Sequence, residues 1–194
     1  MTGLASLGRT LGFSFAAGIN LYATVAILGL SARYGWVALP PQFQAFANPV
    51  IIGVAIVLYL VEFLADKIPW VDTFWDGLHT AVRPLGGALI AVAALGQAGP
   101  GMEALVALLG ATTAAGSHFT KAGTRALVNV SPEPFSNWLL SLGEDVFVLG
   151  LSVVALRHPV VALGISIALI GLVAWLACRT GRRLWRWVAR APAA

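Results

Sequence analysis

Residues 65–84 read Ala65-Asp66-Lys67-Ile68-Pro69-Trp70-Val71-Asp72-Thr73-Phe74-Trp75-Asp76-Gly77-Leu78-His79-Thr80-Ala81-Val82-Arg83-Pro84. A charged turn opens here into a helix, because Asp72, Asp76, His79 and Arg83 recur at the 4-3-4 spacing that places side chains on one helical stripe. At 1.5 Å per residue the stripe is roughly 16 Å long, enough to carry polar groups well into a protein interior. Just upstream, Glu62 and Asp66 stand one turn apart at the end of the apolar run Pro49–Ala65, with Tyr59 near the same face.

The rest of the chain indicates what surrounds this stripe. Its 194 residues are 59% hydrophobic and 10% charged, with a mean hydropathy of +0.86. Such a composition belongs in a bilayer, where a carboxylate at mid-depth costs roughly 2.5–3.5 kcal/mol on insertion scales. Runs of this length read as about six spans: Leu4–Leu30, Pro49–Ala65, Trp75–Leu95, Met102–Gly116, Trp138–Leu156 and Val160–Cys178. Lys and Arg near span ends are retained in the cytoplasm. Arg9, Lys67, Arg83, Lys121, Arg125 and the tail of Arg179, Arg182, Arg183, Arg186 and Arg190 therefore place both termini and both acidic stretches on the cytoplasmic side of an inner membrane. Arg33 and Arg157 are exceptions to that pattern. Arg9 precedes an apolar stretch, as in a signal peptide, but the stretch runs on to Leu30 and suits a retained span.

The fold class expected is all-α, a single polytopic transmembrane bundle over residues 1–194. Two related helical hairpins, about 50–97 and 104–157, are expected inside it. Ala88–Leu95 overlays Leu149–Leu156 at an offset of 61 residues, and the same register maps Asp72, Asp76, His79 and Arg83 onto Glu133, Asn137, Leu140 and Glu144. A second echo pairs Ala16-Ala17-Gly18 with Ala114-Ala115-Gly116, which admits either an inverted repeat or the close packing common to small residues in membrane helices.

Seven of the eight acidic residues fall in two stretches: Glu62, Asp66, Asp72 and Asp76, then Glu133, Glu144 and Asp145. With Lys67, Arg83, Lys121 and Arg125 beside them, a negative surplus remains when His79 and His118 are neutral. Such a surplus favours a cation or protonated carboxylates. The candidate ion- or solute-binding set is Glu62, Asp66, Asp72, Asp76, His79, Arg83, His118, Lys121, Arg125, Asn137, Glu144 and Asp145. The competing reading is a network of ion pairs that binds nothing and pins the hairpins together.

Other chemistry is poorly provided for. Asp76-x-x-His79 has helical spacing suited to a metal, but no HExxH or cysteine cluster joins it, so neither a cofactor nor a transition metal is expected. Lys121-Ala122-Gly123-Thr124-Arg125 could hold a phosphate or carboxylate, or simply anchor the cytoplasmic side. Ser117-His118 is no hydrolase pair, because adjacent residues on a helix diverge. The lone Cys178 excludes an internal disulfide. The acceptor pattern Asn129-Val130-Ser131 is accidental if it faces the cytoplasm. The tail 179–194 interleaves Arg with Trp185 and Trp187, which suits anionic lipid headgroups and not nucleic acid.

These motifs carry a resemblance. Ala65 through Asp72, Trp75-Asp76, His79, Arg83-Pro84-Leu85, Lys121 through Asn129 and Ser131 through Asn137 resemble a bacterial membrane-protein family known as domain of unknown function 4126. Gly18-x-Asn20-Leu21-Tyr22 is similar to that family's first-span motif. The resemblance implies that the two polar stretches are signature regions, and it implies no substrate. The function expected is permeation or transport of a small ion or polar solute, with a non-transporting scaffold or lipid-binding protein as the alternative. An enzyme acting on a lipid phosphate ranks last, since no catalytic pair is visible. Partners expected are membrane lipids and the solute, with association of identical copies allowed.

Overall fold

Proline and asparagine punctuate the apolar runs. Pro49, Pro69, Pro100 and Pro159 each open a helix, where a missing N–H leaves no intrahelical bond unmade. The computed structural model describes residues 3–130 and 135–188, and those residues are helical with no strand among them. In order they form α1 (Gly3–Ile19), α2 (Leu21–Tyr34), a 3-10 segment (Pro41–Ala47), α3 (Pro49–Ala65), α4 (Pro69–Leu95), α5 (Pro100–Val128), α6 (Phe135–Arg157) and α7 (Pro159–Val188). Glu133 and Arg190 lie outside the described residues. Among the described residues, three helices are long and apolar enough to cross a membrane: Pro69–Leu95, Phe135–Arg157 and Pro159–Arg183. A fourth is gained if the 3-10 segment and α3, bent by 65°, count as one span.

The expected first span, Leu4–Leu30, needs correction. Asn20 interrupts it in an extended conformation (φ −144°, ψ 99°), and its side chain accepts a hydrogen bond from Ala23 N, capping α2. The chain then doubles back. Had α2 continued along α1, Arg9 and Ala38 would stand roughly 40 Å apart, whereas Arg9 Nη2 donates to Ala38 O at 3.4 Å and the Phe13 and Phe43 rings meet edge-on at 6.0 Å. Arg9 thus sits at the end of the bundle that carries Arg33 and Arg157, opposite the acidic turn. Gly8 abuts Pro159, and Gly12 lies against Ala162 and Ser166, so α1 runs parallel to α7. Gly3 and the last turn of α7 therefore occupy opposite ends, and the two ends of the described chain do not share a side as expected.

Helix α1 is the axis, packed against α4, α5, α6 and α7, and residues Gly8 to Gly18 are all buried. Small residues make this possible. Gly18 sits directly on Ser117 Oγ and the Ala114 carbonyl, so the two Ala-Ala-Gly segments are a packing pair. Ser117 Oγ also donates to Phe15 O at 2.9 Å. Between α4 and α5 a Cβ on Gly110 would lie 2.6 Å from Gly87 O and press on Ala91 Cβ. The outer faces show the reverse chemistry: Val54, Val57, Leu60, Leu89, Leu139, Val146 and Leu172 are exposed, while 22 polar or charged residues among those described are buried. An apolar exterior around a polar interior is compatible with a bilayer and poorly suited to water.

Enlarging the α4/α5 contact should be costly. Gly110→Leu is expected to lose roughly 1–3 kcal/mol or more through overpacking. Gly123→Ala, whose Cβ would meet nothing within 4 Å, should leave the melting temperature in detergent nearly unchanged. Equal melting of the two variants would contradict the packing described.

Candidate functional site

The turn between α3 and α4 delivers Glu62 and Asp66 to the same buried centre that the α4 stripe enters. Helix α5 lies antiparallel along α4, pairing Asn129 with Asp72, His118 with Thr80 and Gly110 with Gly87, and so brings His118, Lys121 and Arg125 in from the other side. Helix α6 adds Asn137, Glu144 and Asp145. All twelve expected residues meet here; eleven are buried, and the Glu144 side chain is 13% exposed.

The ion pairs form a connected web. Arg83 Nη2 lies 3.1 Å from Glu62 Oε1, and its Nη1 lies 3.0 Å from Asp76 Oδ1. Lys121 Nζ approaches Asp66 Oδ2 at 2.9 Å, Glu62 Oε1 at 3.5 Å and Glu144 Oε2 at 3.8 Å. Arg125 Nη2 lies 2.7 Å from Glu144 Oε2 and 3.0 Å from Asp66 Oδ2, while its Nη1 donates to Asn137 Oδ1 at 2.7 Å. Asp72 accepts from Asn129 Nδ2 at 2.7 Å, and Asp145 accepts from Asn20 Nδ2 at 3.3 Å.

Three expectations change. Lys121 and Arg125 are inside a continuous helix and face carboxylates, so the segment 121–125 offers no exposed backbone or free cation to a phosphate. Lys67, expected to balance the acids, donates instead to Phe63 O at 2.8 Å and lies 3.1 Å above the Phe63 ring, outside the ion-pair web. On α6 the buried stripe runs Asn137, Ser141, Asp145 and Val148, one residue off the expected Leu140 and Glu144. Glu144 stands at the stripe's edge, and its length lets it reach sideways to Arg125.

What remains is an imbalance. Six carboxylates gather here, of which Glu62, Asp66, Asp72, Asp76 and Glu144 share ion pairs with three cations (Arg83, Lys121 and Arg125), and Asp145 is held by Asn20. Among the described residues both Asp76 oxygens, and one oxygen each of Asp66, Asp72 and Asp145, accept no hydrogen bond. Asp76 also lines a cavity of about 220 Å³ between α4 and α5, with Thr73, Thr80, His118 and Arg125. No group of three or more His, Cys, Asp or Glu in metal-holding geometry occurs among the described residues.

The two histidines differ in what they can do. His118 Nδ1 is 2.7 Å from Arg83 Nη1, and since a guanidinium only donates, Nδ1 must accept. The ring proton is then on Nε2, directed at Thr80 Oγ1 at 3.2 Å, and Thr80 in turn donates to Asp76 O at 3.1 Å. His118 is thereby held neutral. His79 Nδ1 donates to Trp75 O at 2.7 Å, and Nε2 meets the Tyr22 hydroxyl at 2.8 Å. That hydroxyl can donate or accept, so His79 can take up a proton without losing a contact. The Trp75 ring lies against His79 at a tilt of 31°, with ring centroids 4.7 Å apart.

Sequence reasoning left Asn20, Tyr22, Thr80 and Asn129 out of the site. The motif Gly18-x-Asn20-Leu21-Tyr22 held the signal: Gly18 O faces Arg83 Nη1 at 3.5 Å, Asn20 reaches Asp145 and Tyr22 reaches His79. Comparison with known proteins finds a match over residues 7–179 to the family described as a domain of unknown function, DUF4126. No curated protein and no solved structure matches the chain.

Nitrogen-15 spectra of the histidines should show His118 as the neutral Nε2–H tautomer throughout about pH 5 to pH 8. A doubly protonated His118 anywhere in that range would contradict its contact with Arg83.

Proposed function

The chain belongs to the DUF4126 family, and we propose from its geometry that it is an integral membrane protein passing a small cation, the proton included, through the carboxylate centre. The observation that carries this reading is the surplus of six carboxylates, five of them buried, over three cations, with Asp76 paired to Arg83 but accepting no hydrogen bond on either oxygen, beside a cavity that Thr73, Thr80 and His118 also line. Several unneutralised carboxylates are very expensive in a low-dielectric interior, so each must share a proton or a mobile cation. Asp76 is the exchanging carboxylate in this proposal. His79 and Tyr22 relay protons from the side of α2, while Arg83, Lys121 and Arg125 keep Glu62, Asp66 and Glu144 ionised and fixed.

In the same proposal the end of the bundle that carries Lys67, Lys121, Arg125 and the Arg residues of α7 faces the cytoplasm of an inner membrane, as retained positive charge favours. Helix α5 crosses with α4, its polar residues turned inward, and α1–α2 forms a hairpin within the bundle. With α1–α2 folded back as a hairpin and the two ends of the described chain on opposite faces, α3 to α7 make five crossings in this reading, and a repeat relation between the α3–α4 and α5–α6 pairs remains part of it. Burial in the two pairs agrees at Asp76 and Asn137 and at Gly87 and Val148, and differs between them.

A scaffold is the second reading, favoured by the density of ion pairs around Glu62, which holds Arg83 and Lys121 together. Two variants separate the readings. Asp76→Asn keeps the side chain's shape and leaves Arg83 its Glu62 partner, so proton or alkali-cation flux in proteoliposomes should vanish while the melting temperature barely moves. Glu62→Gln strips two cations of a buried partner and should cost roughly 3–5 kcal/mol. Absence of flux in the parent protein, with both variants destabilised alike, would leave the scaffold as the account.

A further inference from the structure

A second cavity, of about 640 Å³, opens between α5, α6 and α7 and reaches α1 at its floor. Its walls are overwhelmingly apolar: Phe15, Leu140, Phe147, Leu172 and Leu176 among them. The two charged residues that line it, Lys121 and Glu144, are 3.8 Å apart and each is held by further partners in the ion-pair web. The cavity therefore offers an ion nothing and an alkyl chain a good deal.

Its position on α7 supplies the other half. Leu172 and Leu176 line the cavity, and the same stripe continues one turn at a time to Arg179, Arg183 and Arg186, all exposed. Beyond Ser166 no residue of α7 described is fully buried, so the cleft beside it is open to the outside along its length. Apolar walls leading to a row of guanidinium groups complement an amphiphile with an acyl tail and an anionic head.

We propose that this cleft is a binding site for one anionic phospholipid of the bilayer. One acyl chain fills the space between α6 and α7, and the phosphate lies against Arg179 and Arg183. The site is separate from Asp76 and from its cavity, and rests on membrane residence and not on ion passage. Headgroup selectivity comes from the Arg pair, and retention from the apolar walls.

The test is native mass spectrometry of the full chain, released from detergent micelles containing phosphatidylglycerol or phosphatidylcholine. The parent should retain one phosphatidylglycerol, preferred about tenfold over phosphatidylcholine. The double variant R179Q/R183Q should lose the preference yet still retain lipid. Gly143→Trp grows from a cavity-lining position with open space around it and should lose retention of both lipids at unchanged melting temperature. Equal retention of the two lipids by the parent would overturn the proposal, as would a preference indifferent to both variants. So would a dimer that Gly143→Trp dissolves, since a second copy would then fill the cleft. A chain that stays in solution without detergent would overturn the membrane reading, and the lipid site with it.

Discussion

More negative than positive charge is buried at the centre of this protein, and the rest of the structure is arranged around holding it there. Arg83, Lys121 and Arg125 each serve two or more carboxylates, which distributes three cations over five of the six acids, while Asp145 is held by Asn20. Such sharing works only if α3, α4, α5 and α6 approach closely enough for side chains from all four to meet. The glycines at 87 and 110 let α4 and α5 come together, and Gly18 lets the end of α1 seat against α5 beside Arg83. Backbone proximity is thus the condition for the electrostatics.

The hairpin at Asn20 serves the same end. A straight helix from Gly3 to Tyr34 would carry Tyr22 and Asn20 past the centre. The reversal instead keeps both beside it, where Asn20 satisfies one oxygen of Asp145 and Tyr22 covers His79. Asn20 accomplishes this with one side chain that also caps α2, satisfying the Ala23 N–H that the break would otherwise leave without a partner.

The α4 stripe was legible in the sequence because a polar run at helical spacing inside an apolar run has few other meanings, and all of Asp72, Asp76, His79 and Arg83 are indeed buried. The neighbouring acids and bases followed from their place at helix ends. The reversal at Asn20 was not legible from hydropathy, since both arms of the hairpin are apolar and only the N-cap preference of Asn marked the break. Asn129 read as a sequon or as part of an anion-binding segment beyond Arg125, whereas its amide holds Asp72. Glu144 and Asp145 show the limit of register arguments: adjacent residues both reach the centre, one along the buried stripe and one by a long side chain from its edge. Lys67 shows another limit, for charge counting assigned it to the acids and the fold gave it to Phe63 and Ser141.

Infrared spectroscopy of carboxyl groups tests the central claim most directly, because protonated and ionised carboxyls absorb at separate frequencies. In buffer free of alkali cations, the purified protein should show a protonated-carboxyl band at neutral pH. That band should shrink on raising the pH or adding a permeant cation, and Asp76→Asn should remove part of it. Complete ionisation, with a spectrum indifferent to pH, cation and the Asp76 substitution, would contradict a centre whose excess negative charge is held by exchangeable protons or cations.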